Sequence, residues 1–197
     1  MRERQSRREF LGGTAALTIA LASEAGAQGG RPRPTPACGE HGVTPRQTAG
    51  PYFKPSSPLR TSLVEPGMLG TRIVVQGRVL SIDCKPIARA TLDFWQADAR
   101  GEYDNAGQRL RGHQLTDDAG RYRLETVVPG IYPGRTRHIH VNVKVPGLPM
   151  LTTQLYFPDE PGNQRDGIFD RDLVMKVRDA GGGKLADFDF VLDTTKS

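Results

Sequence analysis

From about residue 70 onward, apolar and polar side chains alternate with a period of two. The segments 72–80, 89–97, 121–128, 138–145, 151–157, 172–177 and 185–192 therefore read as strands of five to nine residues. Turn chemistry separates them. Asp117-Asp118-Ala119-Gly120 and Pro146-Gly147 reverse the chain, and no stretch holds a helical period long enough to cross between parallel strands. Short strands joined by short turns predict an all-β chain, an antiparallel β-sandwich with long loops carrying its site.

The chain ahead of the strands reads differently. Residues 1–27, MRERQSRREFLGGTAALTIALASEAGA, place arginines first, then a short apolar stretch from Gly12 to Ala22, then the small residues Ala25-Gly26-Ala27. This is the order of an export signal cleaved after Ala27. Ser6-Arg7-Arg8-Glu9-Phe10-Leu11 is similar to the twin-arginine signal, and the expected location is periplasmic or extracellular. The apolar stretch is too short to span a bilayer, so no stable membrane insertion is expected after processing. Residues 28–49 are dense in proline, glycine and polar side chains and read as an arm or linker, leaving 50–197 as one domain.

Charge and cysteine content narrow the classes. Removing four arginines and three glutamates with the signal lowers the net charge from +5 to +4. The remaining arginines are scattered among acids, which argues against a nucleic-acid partner. The two cysteines, Cys38 and Cys84, suit either a disulfide tying the arm to the domain or two free thiols.

One strand carries the candidate chemistry. In His138-Ile139-His140-Val141-Asn142-Val143-Lys144-Val145 the odd positions are apolar and the even ones polar, so both histidines lie on the face away from the core. Two imidazoles at i and i+2 stand about 6.5–7 Å apart at the backbone and are able to lean onto one metal ion. A solvated polar face is the alternative. The residues that follow, VNVKVPGL, offer neither the glutamate of a cupin site nor the carboxylate of a ferrous facial triad. Two tyrosines stand out instead: Tyr132 six residues before His138, and Tyr103 in the loop after the strand containing Trp95. Phenolate is a hard, strongly donating ligand suited to ferric iron.

The motifs GPYF at 50–53, DFWQADARGEY at 93–103, DDAGRYRLETVVPGIYP at 117–133, RTRHIH at 135–140 and TTQLYF at 152–157 occur in one order. With them, the chain resembles the intradiol ring-cleavage dioxygenases, the family of protocatechuate and catechol dioxygenases, over about residues 48–192. The resemblance implies a non-haem Fe(III) held by Tyr103, Tyr132, His138 and His140. It implies that Arg135 lies over a bound catechol-type substrate, that Gln154 lies just outside the ligands, and that Tyr132 is the phenolate that leaves to take a substrate proton. The implied reaction uses O2 to cleave the ring between the two hydroxyl-bearing carbons, giving a cis,cis-muconate-type diacid. Thr136 departs from the family pattern, which has proline there. The helical dimerisation region of the catechol enzymes has no counterpart in the arm, so their oligomeric state does not transfer. Two rival readings are a catalytically silent exported β-sandwich that binds a partner, and a zinc hydrolase built on the histidine pair.

The other aromatic and basic residues have plainer expectations. Tyr122, Tyr156 and Trp95 read as packing residues, Arg137 as a solvated strand-end charge, and Tyr52 as either a lining or a packing residue. His41 falls in the arm and His113 in a loop, and neither belongs to a converging set.

Overall fold

A computed structural model describes residues 42–195. It contains nine strands: β1 (Arg72–Ser81), β2 (Thr91–Trp95), β3 (Arg111–Leu115), β4 (Arg121–Val127), β5 (His138–Lys144), β6 (Leu151–Tyr156), β7 (Lys176–Ala180), β8 (Gly183–Asp187) and β9 (Phe190–Leu192). One sheet has the order β3-β2-β5-β6; the other runs β4-β1-β8-β7, with β9 also on β1. The sandwich is as predicted from the alternation. Its core lies between the sheets, where Leu92 and Phe94 of β2 and Ile139, Val141 and Val143 of β5 meet Ile73 and Val75 of β1 and Leu124 of β4.

The predicted antiparallel pairing holds throughout the first sheet, but β1 pairs with β8 and with β9 in parallel. The last predicted strand is also interrupted, at one glycine. The predicted strand 185–192 divides at Phe188-Asp189, because β8 pairs with residues 73–76 and β9 with residues 79–81. Between them, Gly77 lets the Phe188 carbonyl press against β1, where a Cβ would collide with it. Asp189 caps the break by accepting a 2.6 Å hydrogen bond from the Arg78 amide. The predicted strand 172–177 is likewise divided, into a 3-10 turn at Arg171–Leu173, capped by the Asp170 carboxylate, and the start of β7. Strand β3 falls outside the predicted set. RGHQL has no apolar alternation, and its pairing with β2 places His113 in a strand.

Tyr122 is a packing residue with a polar handle. It is buried in the core and its hydroxyl donates to the Phe188 carbonyl at 2.8 Å. Tyr122→Phe should leave that carbonyl unpaired and cost about 1–3 kcal/mol, measurable as a lower urea midpoint with an unchanged m-value.

The described end of the arm runs against the domain: the Thr44 amide donates to the Val191 carbonyl at 2.9 Å and the Gln47 amide to the Thr152 carbonyl at 2.7 Å. Cys84 lies in the turn after β1 with φ 62°. Its candidate partner Cys38, the signal segment and His41 lie outside the described residues. Among the described residues no helix is long and apolar enough to cross a membrane.

Candidate metal centre

The even positions of β5 face outward from the sandwich, as the alternation requires. All but Lys144 are nonetheless buried, because the loops before β1, after β2, after β4 and after β6 roof this face: His138 is 5% exposed and His140 3%. Across the sheet, Arg111, Trp95, His140 and Gln154 stand side by side on β3, β2, β5 and β6. That row is the floor of the site.

Two glycines bring the tyrosines to it. Gly101, at φ +89°, lies against the Ile131 carbonyl, and Gly130 lies against the Gly101 amide and the Arg100 backbone, so a Cβ at either position would collide with the other loop. The loops after β2 and β4 therefore cross in backbone contact. This crossing sets Tyr103 and Tyr132 edge to face, with ring centroids 6.0 Å apart at 80°.

Three donor atoms converge. The His138 and His140 Nε2 atoms are 3.1 Å apart, and the Tyr103 hydroxyl is 3.2 Å from His138 Nε2. Ligand atoms about 2.1 Å from one ion and at right angles lie about 3.0 Å from each other, so this spacing fits a shared cation. The His138 Nδ1–H donates to the Thr136 carbonyl at 2.7 Å, which leaves the lone pair on Nε2. His140 lies flat on Trp95, with centroids 4.8 Å apart at 5°, and Gly50 leaves room beside it. Its Nδ1 is buried with no hydrogen-bond partner among the described residues.

Burial sets the protonation of the group. It lowers His138 to about 4 and His140 well below the usual histidine value, the neighbouring ring and Arg135 adding to the shift at His140. Both rings are thus neutral at pH 7. Burial also raises the Tyr103 phenol far above its ordinary range, against the pull of Arg135 and Arg111. Releasing that proton requires a compensating cation, which a metal ion beside the Tyr103 oxygen would supply. Among the described residues no three His, Cys, Asp or Glu side chains gather, so the third donor beside the pair is a phenol. The donor set fits ferric iron better than zinc.

Tyr132 has its hydroxyl 2.9 Å from that of Tyr52, and Tyr52 stacks on Tyr103 with centroids 4.3 Å apart at 9°. Tyr52 therefore links the two tyrosines. Arg135 donates through Nε to Asp166 at 2.8 Å, and through Nη2 to Gln154 Oε1 at 2.6 Å and the Tyr156 hydroxyl at 3.3 Å. Gln154 in turn donates to the Thr48 carbonyl at 2.9 Å.

Trp95 and Tyr156 are buried packing residues as expected, whereas the expectations for Arg137 and His113 need correcting. Trp95 is buried beneath His140 on the outer face, and Tyr156 adds hydrogen bonds to its packing, donating to Gln47 Oε1 at 2.7 Å. Arg137 is paired with Glu160 at 2.8 Å, so it is no free surface charge. His113 does meet partners: its Nδ1 lies 2.8 Å from the Ser57 carbonyl, and the Ser57 hydroxyl donates to Asp93 at 2.7 Å. With its proton committed to the carboxylate, that serine is not poised as a nucleophile. Arg111 has no motif or rhythm in the sequence to mark it. It is 2% exposed and donates to the Tyr52 carbonyl at 2.7 Å and the Asp104 carbonyl at 3.1 Å, holding the backbone at Tyr52 and beside Tyr103.

The Dioxygenase family model matches residues 48–194, a span that contains every residue of this centre. The chain belongs to the intradiol ring-cleavage dioxygenase family. Among its relatives in that family, 6-chlorohydroxyquinol 1,2-dioxygenase of Cupriavidus pinatubonensis is 30% identical over 182 residues, covering 78% of this chain and 66% of that protein. The protocatechuate 3,4-dioxygenase beta chain of Burkholderia cepacia is 39% identical over 119 residues, covering 51% of each. This chain thus spans from about half to two thirds of the length of these intradiol dioxygenases. A solved structure covers 77% of this chain and 99% of its own at 56% identity and a TM-score of 0.76. It is the dioxygenase domain of a dioxygenase and carbohydrate-binding protein fusion from the cellulolytic bacterium Streptomyces sp. SirexAA-E.

Proposed function

We propose that the protein is a non-haem Fe(III) dioxygenase that cleaves a catechol-type ring between its two hydroxyl-bearing carbons, forming a cis,cis-muconate-type diacid. The observation that carries this reading is that His138 Nε2 lies 3.1 Å from His140 Nε2 and 3.2 Å from the Tyr103 hydroxyl, with the Tyr132 ring edge to face with Tyr103. Tyr103, Tyr132, His138 and His140 would hold the ion. When bound, ferric iron supplies the Lewis acidity that lets a catechol bind as a dianion.

The chain's own groups divide the remaining work. Tyr132 is half-buried, and its hydroxyl bonds to a neighbouring phenol, not to Arg135 or Gln154. As a phenolate it would accept a substrate proton, with the Tyr52 hydroxyl hydrogen-bonded to its oxygen. Arg135 brings a fixed positive charge, oriented by Gln154, toward the ring on which negative charge develops. The stacked Trp95 and His140 rings keep water from the floor.

The test is oxygen uptake over a panel of substituted catechols, followed by 18O2 labelling with the best one. Both labels should appear in a product cut between the hydroxyl-bearing carbons. Cleavage outside that pair overturns the reading. Replacing Arg135 by leucine should lower turnover on the order of 10²–10³-fold while substrate still binds, as expected for a lost electrostatic stabiliser.

Export through the twin-arginine route is part of the same proposal. A chain carrying Arg7→Lys and Arg8→Lys together should accumulate in the cytoplasm as uncleaved precursor. Normal processing of that variant, read by fractionation and mass, would assign it to another route.

A further inference from the structure

The connection between β6 and β7 touches the residues just ahead of His138 one after another. Arg135 Nε donates to Asp166 Oδ2 at 2.8 Å, and the Thr136 amide donates to the same oxygen at 2.9 Å. The Thr136 hydroxyl donates to Asn163 Oδ1 at 2.7 Å, and Arg137 Nε pairs with Glu160 at 2.8 Å. Gly162 makes the approach close enough, since a Cβ there would lie 2.9 Å from Thr136 Oγ1. Asp166 is no surface acid: its side chain is 2% exposed, and its second oxygen accepts the Ile168 amide at 3.1 Å.

We propose that residues 160–166 form a strap that sets the orientation of Arg135, with Asp166 as the positioning residue. The inference rests on the role given to Arg135 above. An arginine side chain has many rotamers, and its value as a directed charge depends on how many are removed. Asp166 fixes Nε on one side while Gln154 and Tyr156 fix Nη2 on the other, leaving Nη1 as the guanidinium nitrogen that none of these three engages. Thr136 gives the strap a second grip. The proline found at this position in the family pattern has no N–H, so it could not share the Asp166 oxygen with the guanidinium. Here one buried carboxylate holds the backbone and the side chain of adjacent residues as a unit.

A merely structural ion pair would behave differently, and a double-mutant cycle distinguishes the two roles. Asp166→Ala should lower kcat on the order of 10²-fold, the cost of displacing a positioned group by about an ångström, with iron content and resting colour retained. Asp166→Asn, which keeps an acceptor, should lose less and guards against a fold defect in the alanine variant. In the Arg135→Leu background, Asp166→Ala should cause no more than about a twofold further loss, because both changes remove the same directed charge. Hydrogen exchange supplies a readout independent of turnover: the Thr136 amide should lose protection in Asp166→Ala while the β5 amides keep theirs. Two results would overturn the strap alone: full turnover in Asp166→Ala beside a slow Arg135→Leu, or losses that multiply in the double variant. Full turnover in Arg135→Leu would remove the strap together with the reading it rests on.

Discussion

Expressed with iron in excess, the protein is expected to be coloured, to carry close to one ferric ion per chain, and to lose both properties in His138→Ala. The colour arises because a phenolate on Fe(III) absorbs visible light, whereas a zinc-bound or metal-free phenol does not. Burial raises the Tyr103 phenol so far that it holds its proton unless a cation lies beside it. Tyr103→Phe should therefore lose most of the colour, since the phenolate that lies against the histidine pair is gone. His138→Ala removes the atom common to the two short contacts of the centre, 3.1 Å to His140 and 3.2 Å to Tyr103, and no other His, Cys, Asp or Glu cluster among the described residues replaces it. Metal analysis and a visible spectrum decide the matter. Stoichiometric zinc, or no metal after iron-replete expression, would sink the ferric reading.

The parity of β5 is legible in the sequence because a strand sends alternate side chains to opposite faces, and that rule alone puts His138 and His140 together. The core strands are legible for the same reason. What the sequence hides depends on contacts distant along the chain. β3 lacks an apolar rhythm because its outer face meets the polar floor of the site and its edge is covered by the chain at Leu59–Arg60. Arg111 reads as one more surface arginine; only the closing of two loops over β3 buries it beneath the Tyr52 and Asp104 carbonyls. Asp166 lies 31 residues from Arg135 in an Asp-Gly turn of unremarkable composition. The break between β8 and β9 is legible in principle, as a glycine in the neighbouring β1, but only once the parallel pairing is known.

Stripped of metal, the protein should lose stability steeply on acidification between about pH 6.5 and pH 4, with the steepest loss above the range where carboxylates titrate. Burial holds the folded-state His138 down to about 4, against about 6.5 for a histidine in an unfolded chain. Within that window the unfolded chain takes up a proton that the folded one refuses, so unfolding is favoured as pH falls. Below the folded-state value both forms are protonated and His138 contributes no further loss. A difference of that size corresponds to about 3 kcal/mol from His138 alone. His140 is shifted the same way, by burial first and then by the neighbouring ring and two arginines, and it adds to the loss. Bound iron would complicate the wild-type curve, because protons would compete with the ion for the same Nε2 atoms. The measurement is therefore made on chelator-treated protein, by urea unfolding at pH 7.0, 5.5 and 4.5, beside a His138→Gln variant that removes one titrating ring. Wild-type protein should lose more stability across this series than the variant. An equal loss in both, or a flat profile, would show that His138 does not carry the acid sensitivity its burial requires.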